Sequence, residues 1–177
     1  VKNQYGIQIL EENAQVAAEA EILILAVKPQ MFDEVIPQIR DKVGDHTLII
    51  SIAAGKTMAQ IEEGFGKPLK LVRCMPNTPA MIGEGCSGVC RNDRVTDEEM
   101  AKCMELLGSF GVAEEVPERL MDAVVGVSGS SPAFVFMFIE ALADGAVKAG
   151  MPRSQAYRFA AQTVQGSARL LLETGKH

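Results

Sequence analysis

The 177-residue chain sets 17 lysines and arginines against 23 acidic residues, a formal charge of −6. Hydrophobic residues make up 47% of it, too many for a disordered chain, and the acidic balance lacks the basic footprint of a nucleic-acid binder. Acidity does not exclude an anionic small ligand, which a few backbone amides and one or two cations can hold.

No membrane partner is expected. The longest uninterrupted apolar stretch, Ala133 to Ile139, is about a third of the roughly 20 residues that a spanning helix needs. Val1 to Gly6 does not read as a signal peptide. The cysteines are Cys74, Cys86, Cys90 and Cys103; none forms Cys-x-x-Cys, and the histidines are His46 and His177. No metal site is expected from that set. Buried free thiols in a reducing cytoplasm are the simpler reading.

Taken in chain order, Asn13 to Ala20 reads as a short helix with Asn13 as its N-cap. Ile22 to Val27 is an unbroken apolar run ended by Lys28-Pro29. Met31 to Val43 carries Val35, Ile36 and Ile39 on one helical face. Thr47 to Ile52 is a second apolar run, and Leu69 to Cys74 a third. Such runs suit a parallel sheet buried on both faces. Thr57 with Gln60, and Thr96 with Glu99, have capping-box spacing; Met100, Cys103, Met104 and Leu107 follow the second box at helical intervals. Cys86 to Cys90 and Gly111 to Val116 read as shorter strands.

After about Glu118 the strand signals stop. Leu120, Ala123, Val124 and Val127 form a helical stripe, interrupted by Ser128-Gly129-Ser130-Ser131. Pro132 suits the first turn of a new helix capped by Ser131 and closed at Gly150. Ser154 to Glu173 is a further helix, striped by Ala156, Phe159, Ala160, Thr163, Val164, Ser167 and Leu171. The expected fold is α/β: a partial Rossmann-like, doubly wound parallel sheet over residues 1–118, then an all-helical segment over 119–177. Phe134, Phe136, Met137 and Phe138 read as core or subunit interface.

In a doubly wound sheet, ligands bind beyond the carboxyl ends of the strands. Three successive runs end there in Ala26-Val27-Lys28-Pro29, Ile52-Ala53-Ala54-Gly55 and Met75-Pro76-Asn77-Thr78-Pro79. Small residues let a planar group approach the backbone, Lys28 offers a cation to a phosphate, and two prolines pre-order Asn77 and Thr78. Each peptide alone also reads as a tight strand-to-helix turn. Ser128 to Ser131, before a helix start, suits a carboxylate or ordinary capping. Glu118 stands where a cleft or a solvated surface is equally readable. The scarcity of histidine disfavours a hydrolase.

Together these peptides, with Arg73-Cys74 before the third and Ala141-Leu142-Ala143-Asp144-Gly145 after the serine turn, resemble pyrroline-5-carboxylate reductase in order and spacing along the whole chain. The resemblance implies reduction of 1-pyrroline-5-carboxylate to L-proline by hydride transfer from NADPH or NADH, the last step of proline synthesis. It implies a homo-oligomer, a dimer or ring of dimers, made through the helical domain. It places Asn13 against the nucleotide ribose, Ala26, Val27, Lys28 and Pro29 over the cofactor, and Ile52, Ala53 and Ala54 beside the nicotinamide half. Met75, Asn77 and Pro79 flank the nicotinamide. Glu118, Ser128, Gly129 and Ser130 lie on the substrate side. No catalytic side chain is assigned.

The family also has a Gly-rich strand-turn-helix ahead of the segment matching Val1, and a substrate loop and dimer helices beyond the one matching His177. The chain is therefore expected to be a middle portion of a longer enzyme, with neighbouring strands left unpaired; an ordered sheet formed by residues 1–177 alone would count against this. Two other readings remain at this stage. One is a non-catalytic helical assembly fragment. The other is a Rossmann-type hydroxy-acid dehydrogenase with its lysine on the long helix, where Lys148 sits late.

Overall fold

The computed structural model describes residues 2–176; the readings on Val1 and His177 lie outside them. A single turn, α1 (Lys2–Tyr5), leads to α2 (Asn13–Glu19). Strand β1 (Ile22–Leu25), helix α3 (Phe32–Ile39), β2 (Leu48–Ser51), α4 (Met58–Phe65) and β3 (Lys70–Met75) then alternate. They are followed by β4 (Gly85–Arg91), α5 (Asp97–Gly108) and β5 (Gly111–Glu115). Short turns continue through α6 (Met121–Val124) and a π-helical turn at Val125–Gly129, before α7 (Ser131–Lys148) and α8 (Arg153–Thr174).

The strands form one sheet in the order β1-β2-β3-β4-β5. β1, β2 and β3 are mutually parallel, with Leu25 opposite Ser51 and Ser51 opposite Arg73. β4 runs antiparallel to β3 and parallel to β5. The sheet is thus mostly parallel, as expected, with the β3–β4 pairing as the exception. Only residues 76–84 separate β3 from β4, too few for the dozen or so residues of a parallel crossover.

Alternate residues divide the sheet core. Leu23, Leu25, Ile49 and Leu71 pack with Ile36, Ile39, Ile61 and Phe65 of α3 and α4. Leu48, Ile50, Val72, Cys74 and Val89 pack on the opposite face with Met100, Cys103 and Leu107 of α5. Both capping boxes form: Thr57 with Gln60 starts α4, and Thr96 with Glu99 starts α5. Gly111 has φ +148°, and a Cβ there would lie 2.1 Å from the Gly85 carbonyl oxygen, so only glycine lets β5 approach β4.

Several local expectations change. Ile22 and Ile24 are 37% and 44% exposed, because β1 is an edge strand and only its Leu23–Leu25 face meets helices. The described residues form one ordered sheet, with β1 and β5 as its edge strands. Asn13 is the first residue inside α2; Glu12 holds the N-cap position without a side-chain bond. Ser130, not Ser131, holds the N-cap position of α7, with helical backbone angles and no side-chain cap. Cys86 is exposed, whereas Cys74, Cys90 and Cys103 are buried.

Two compact units divide after Gly129. In the second, α7 and α8 pack through Ala143, Ala156 and Ala160, small side chains that allow close helix approach. Arg153 pairs with Asp144 across the two helices. The rest of the expected α8 stripe is uneven: Phe159 and Leu171 are 61% and 50% exposed. Phe134, Phe136, Met137 and Phe138 are likewise exposed, by 57% to 65%. By length and composition the helical stretch Glu118–Lys148, mean hydropathy 1.5, reaches what a membrane crossing needs. Polar residues interrupt its apolar runs in sequence.

Burial pushes the thiol pKa of Cys74 up to about 12, and those of Cys90 and Cys103 up to about 11. Mild alkylation at pH 8 is expected to label Cys86 alone, with the other three reacting only on unfolding; peptide mass mapping that finds Cys74 or Cys103 labelled in the native state would contradict this packing. Lys70 bonds the Glu99 carboxylate at 2.6 Å, and that bond, followed by the Thr96 backbone amide, lowers the Glu99 pKa. A lowered folded-state pKa stabilises above the ordinary glutamate value of about 4.3 and is lost as pH falls through the lowered one. Glu99→Gln should therefore reduce the thermal midpoint at pH 7 and converge with the parent toward pH 3.

Candidate functional site

The parallel register puts the carboxyl ends of β1, β2 and β3 side by side, and the three expected ligand peptides follow those ends. Ala26 and Lys28 are exposed and Val27 and Pro29 half-buried. The Lys28 carbonyl accepts from Met31 N at 2.8 Å, which turns this loop into α3. Beyond β2, Ile52 is half-buried, Ala53 is 3% exposed and Ala54 is exposed. Buried Ser51 accepts from Ala53 N at 3.4 Å and shapes the loop. A Cβ added at Gly55 would meet nothing within 4 Å, so the backbone there is open to a ligand.

The third loop is fixed from within. Asn77 Nδ2 donates to the Ser128 carbonyl at 3.0 Å, and its Oδ1 accepts from Cys86 N at 2.9 Å. Both ends of this amide tie the loop to β4 and to the π-helical turn. A Cβ on Gly129 would stand 3.1 Å from Met75 Cε, so the turn lies close against Met75. Pro76, Asn77, Thr78, Ala80, Met81, Phe110 and Gly129 line a cavity of about 510 Å³. Ser128 Oγ donates to the Val124 carbonyl at 3.0 Å. Pro79 lies in the 3-10 turn that follows the loop.

Glu118 is not the solvated carboxylate that its sequence position equally allows. Its Oε1 accepts from Met58 N, the first residue of α4, at 2.8 Å, and lies 3.3 Å from Arg73 Nη1. The Arg73 side chain is 5% exposed and that of Glu118 32%. The sequence reading gave Arg73 no role; an arginine inside an apolar run was the available signal, since a buried guanidinium must be paired.

The structure thus sets the ends of β1, β2 and β3 side by side, ties Glu118 to the start of α4 and to Arg73, and packs Ser128 and Gly129 against the 75–79 loop. Asn13 has another partner, donating from Nδ2 to Gln38 Oε1 on α3 at 2.9 Å. Ser130 opens the second compact unit. His46 is exposed, as expected of its turn. Among the described residues no cluster of histidine, cysteine and carboxylate could hold a metal ion.

Residues 118–177 match the family model described as pyrroline-5-carboxylate reductase dimerisation, and residues 1–55 one described as NADP oxidoreductase, coenzyme F420-dependent. The solved pyrroline carboxylate reductase of Plasmodium falciparum, with NADP bound, superposes with a TM-score of 0.91 at 31% identity, covering 99% of this chain and 67% of that one. The chain belongs to the pyrroline-5-carboxylate reductase family. The Coxiella burnetii reductase structure gives a TM-score of 0.93 at 32% identity over 99% of this chain and 66% of that one. The Escherichia coli K12 reductase is 48% identical over 99% of this chain and 65% of its own length. The chain thus spans just under two thirds of the length of that curated relative.

One close approach in this region is directly testable. A Cβ on Gly88 of β4 would lie 2.6 Å from Val124 Cγ1, a stiff β-branched side chain. Gly88→Ala should cost about 1–3 kcal/mol in urea unfolding, and adding Val124→Ala should recover part of the loss. A neutral single variant would contradict the packing of the 121–129 turns on β4.

Proposed function

We propose that the chain carries the nicotinamide-facing and substrate-facing parts of an NAD(P)H-dependent reductase that converts 1-pyrroline-5-carboxylate to L-proline. The observation that carries this reading is the side-by-side placement of three exposed or pre-ordered loops at parallel strand ends, in a member of this family. Exposed small side chains at Ala26 and Ala54, open backbone at Gly55 and an exposed Lys28 in the first loop fit a planar ring, a sugar and a phosphate.

In this reading Ala26, Val27, Lys28 and Pro29 cradle the dinucleotide, Ile52, Ala53 and Ala54 pack beside its nicotinamide half, and Met75, Asn77 and Pro79 close the other side. Asn13 reaches the ribose. The dinucleotide, NADPH or NADH, supplies a hydride when bound. Glu118, Ser128, Gly129 and Ser130 face the substrate. A carboxylate near the imine nitrogen favours the protonated imine, the better hydride acceptor, so Glu118 assists electrostatically without attacking the substrate. Buried, protonated Cys74, Cys90 and Cys103 take no part in the chemistry.

We put the functional boundary near Glu118, a reading supported by the start of the dimerisation match there. The exposed phenylalanines of α7 are assigned to a homo-oligomeric contact rather than to a bilayer, and the buried free thiols suit the cytoplasm. That apolar face also favours a second reading, a non-catalytic assembly chain.

The purified protein is expected to oxidise NADPH, followed at 340 nm, in step with proline formed from pyrroline-5-carboxylate, and to scatter light as a multiple of its own protomer mass. A stable oligomer that leaves NADPH untouched would favour the second reading.

A further inference from the structure

We propose that Arg73 is a positioning residue for this site: paired with one oxygen of Glu118, it holds that carboxylate in place and links the entry of α4 to the end of β3. The inference deepens the reductase reading and rests on it for its substrate readout.

The geometry separates the roles of the two partners. The Arg73 side chain is 5% exposed, too enclosed to meet a ligand, while Glu118 keeps 32% exposure. Arg73 therefore acts through Glu118. Its neighbours across the sheet, Ser51 on β2 and Cys90 on β4, offer no formal negative charge while the buried Cys90 thiol stays protonated. An unpaired guanidinium taken out of water is strongly disfavoured, so the carboxylate that answers it is held firmly.

The same oxygen, Glu118 Oε1, also accepts from Met58 N at 2.8 Å. Met58 opens α4 directly after the 52–57 loop, and its amide lies at the positive end of the helix. Arg73 sits two residues before Met75, where the 75–79 loop begins. One oxygen thus fastens two ligand-facing loops to the first of the turns that end at Ser128 and Gly129. A shift of Arg73 moves the Glu118 carboxylate, and a displacement near 1 Å at a reacting centre is enough to cost binding or rate.

The test compares Arg73→Met and Arg73→Lys with the parent protein by two readouts. The first is the Met58 amide signal in a ¹⁵N–¹H spectrum and its hydrogen exchange. The second is the pair of Michaelis constants, for pyrroline-5-carboxylate and for NADPH. In Arg73→Met the Met58 amide should move toward a solvent-exposed shift and exchange at least about tenfold faster. The KM for the imine should rise about tenfold, with that for NADPH within about twofold. Arg73→Lys keeps the charge and should restore both readouts toward the parent.

An unmoved Met58 amide overturns the proposal. So does a fall in kcat alone with both Michaelis constants unchanged, because that is the mark of less folded protein. Should Arg73→Met fail to fold, Arg73→Gln keeps a donor without the charge and carries the same two readouts. If the parent shows no reductase activity, the functional reading fails by itself, and the Met58 amide alone decides whether Arg73 holds Glu118.

Discussion

A charge buried beneath the ends of the strands sets the arrangement of the sheet unit. Arg73 lies on the central strand of five, where a guanidinium can stay only if an anion reaches it. The chain answers with Glu118, brought across by the turns that leave β5. One carboxylate oxygen then serves the cation and the first amide of α4 together. The turns after β5 are therefore fastened to the sheet by a paired charge as well as by Met121, which is 1% exposed. Asn77 adds a second fastening, with one side-chain amide satisfying two backbone groups far apart in sequence.

The three loops that face a ligand in the proposed reading are neighbours for a simpler reason. β1, β2 and β3 are parallel and adjacent, so their carboxyl ends share one edge of the sheet. β4 breaks the pattern, because nine residues at most can be spanned between Met75 and Gly85 and a tight return forces an antiparallel pair. That return gives the third loop its prolines, its 3-10 turn and the β4 amide that Asn77 engages. The feature that departs from a regular doubly wound sheet is thus the one that orders the third loop.

The helical unit follows a different logic. α7 and α8 close on each other through alanines, which bring backbones near but bury little area per residue. The larger apolar side chains of α7 stay exposed instead. That exposed apolar face lies within the residues that match the dimerisation family model.

Local rules were enough for much of the fold. Apolar runs marked β1, β2 and β3, and two Thr-x-x-Gln/Glu boxes marked two helix starts, because strand burial and capping depend on side chains within a few residues of each other. Gly150 closed α7 for the same reason. The character of the loops after β1, β2 and β3 was also legible, since glycine, alanine and proline restrict or free the backbone wherever they stand. Partners distant in sequence were not. Arg73 and Glu118 are 45 residues apart, and nothing local says that a buried cation and a junction carboxylate share an oxygen. The antiparallel β4, the bare outer face of β1 and the exposure of Cys86 were equally hidden, because each follows from which element lies next to which. The sequence by itself determined the elements and the character of the loops; tertiary structure alone decided the pairings, because burying a charge or satisfying an amide is a property of neighbours in space.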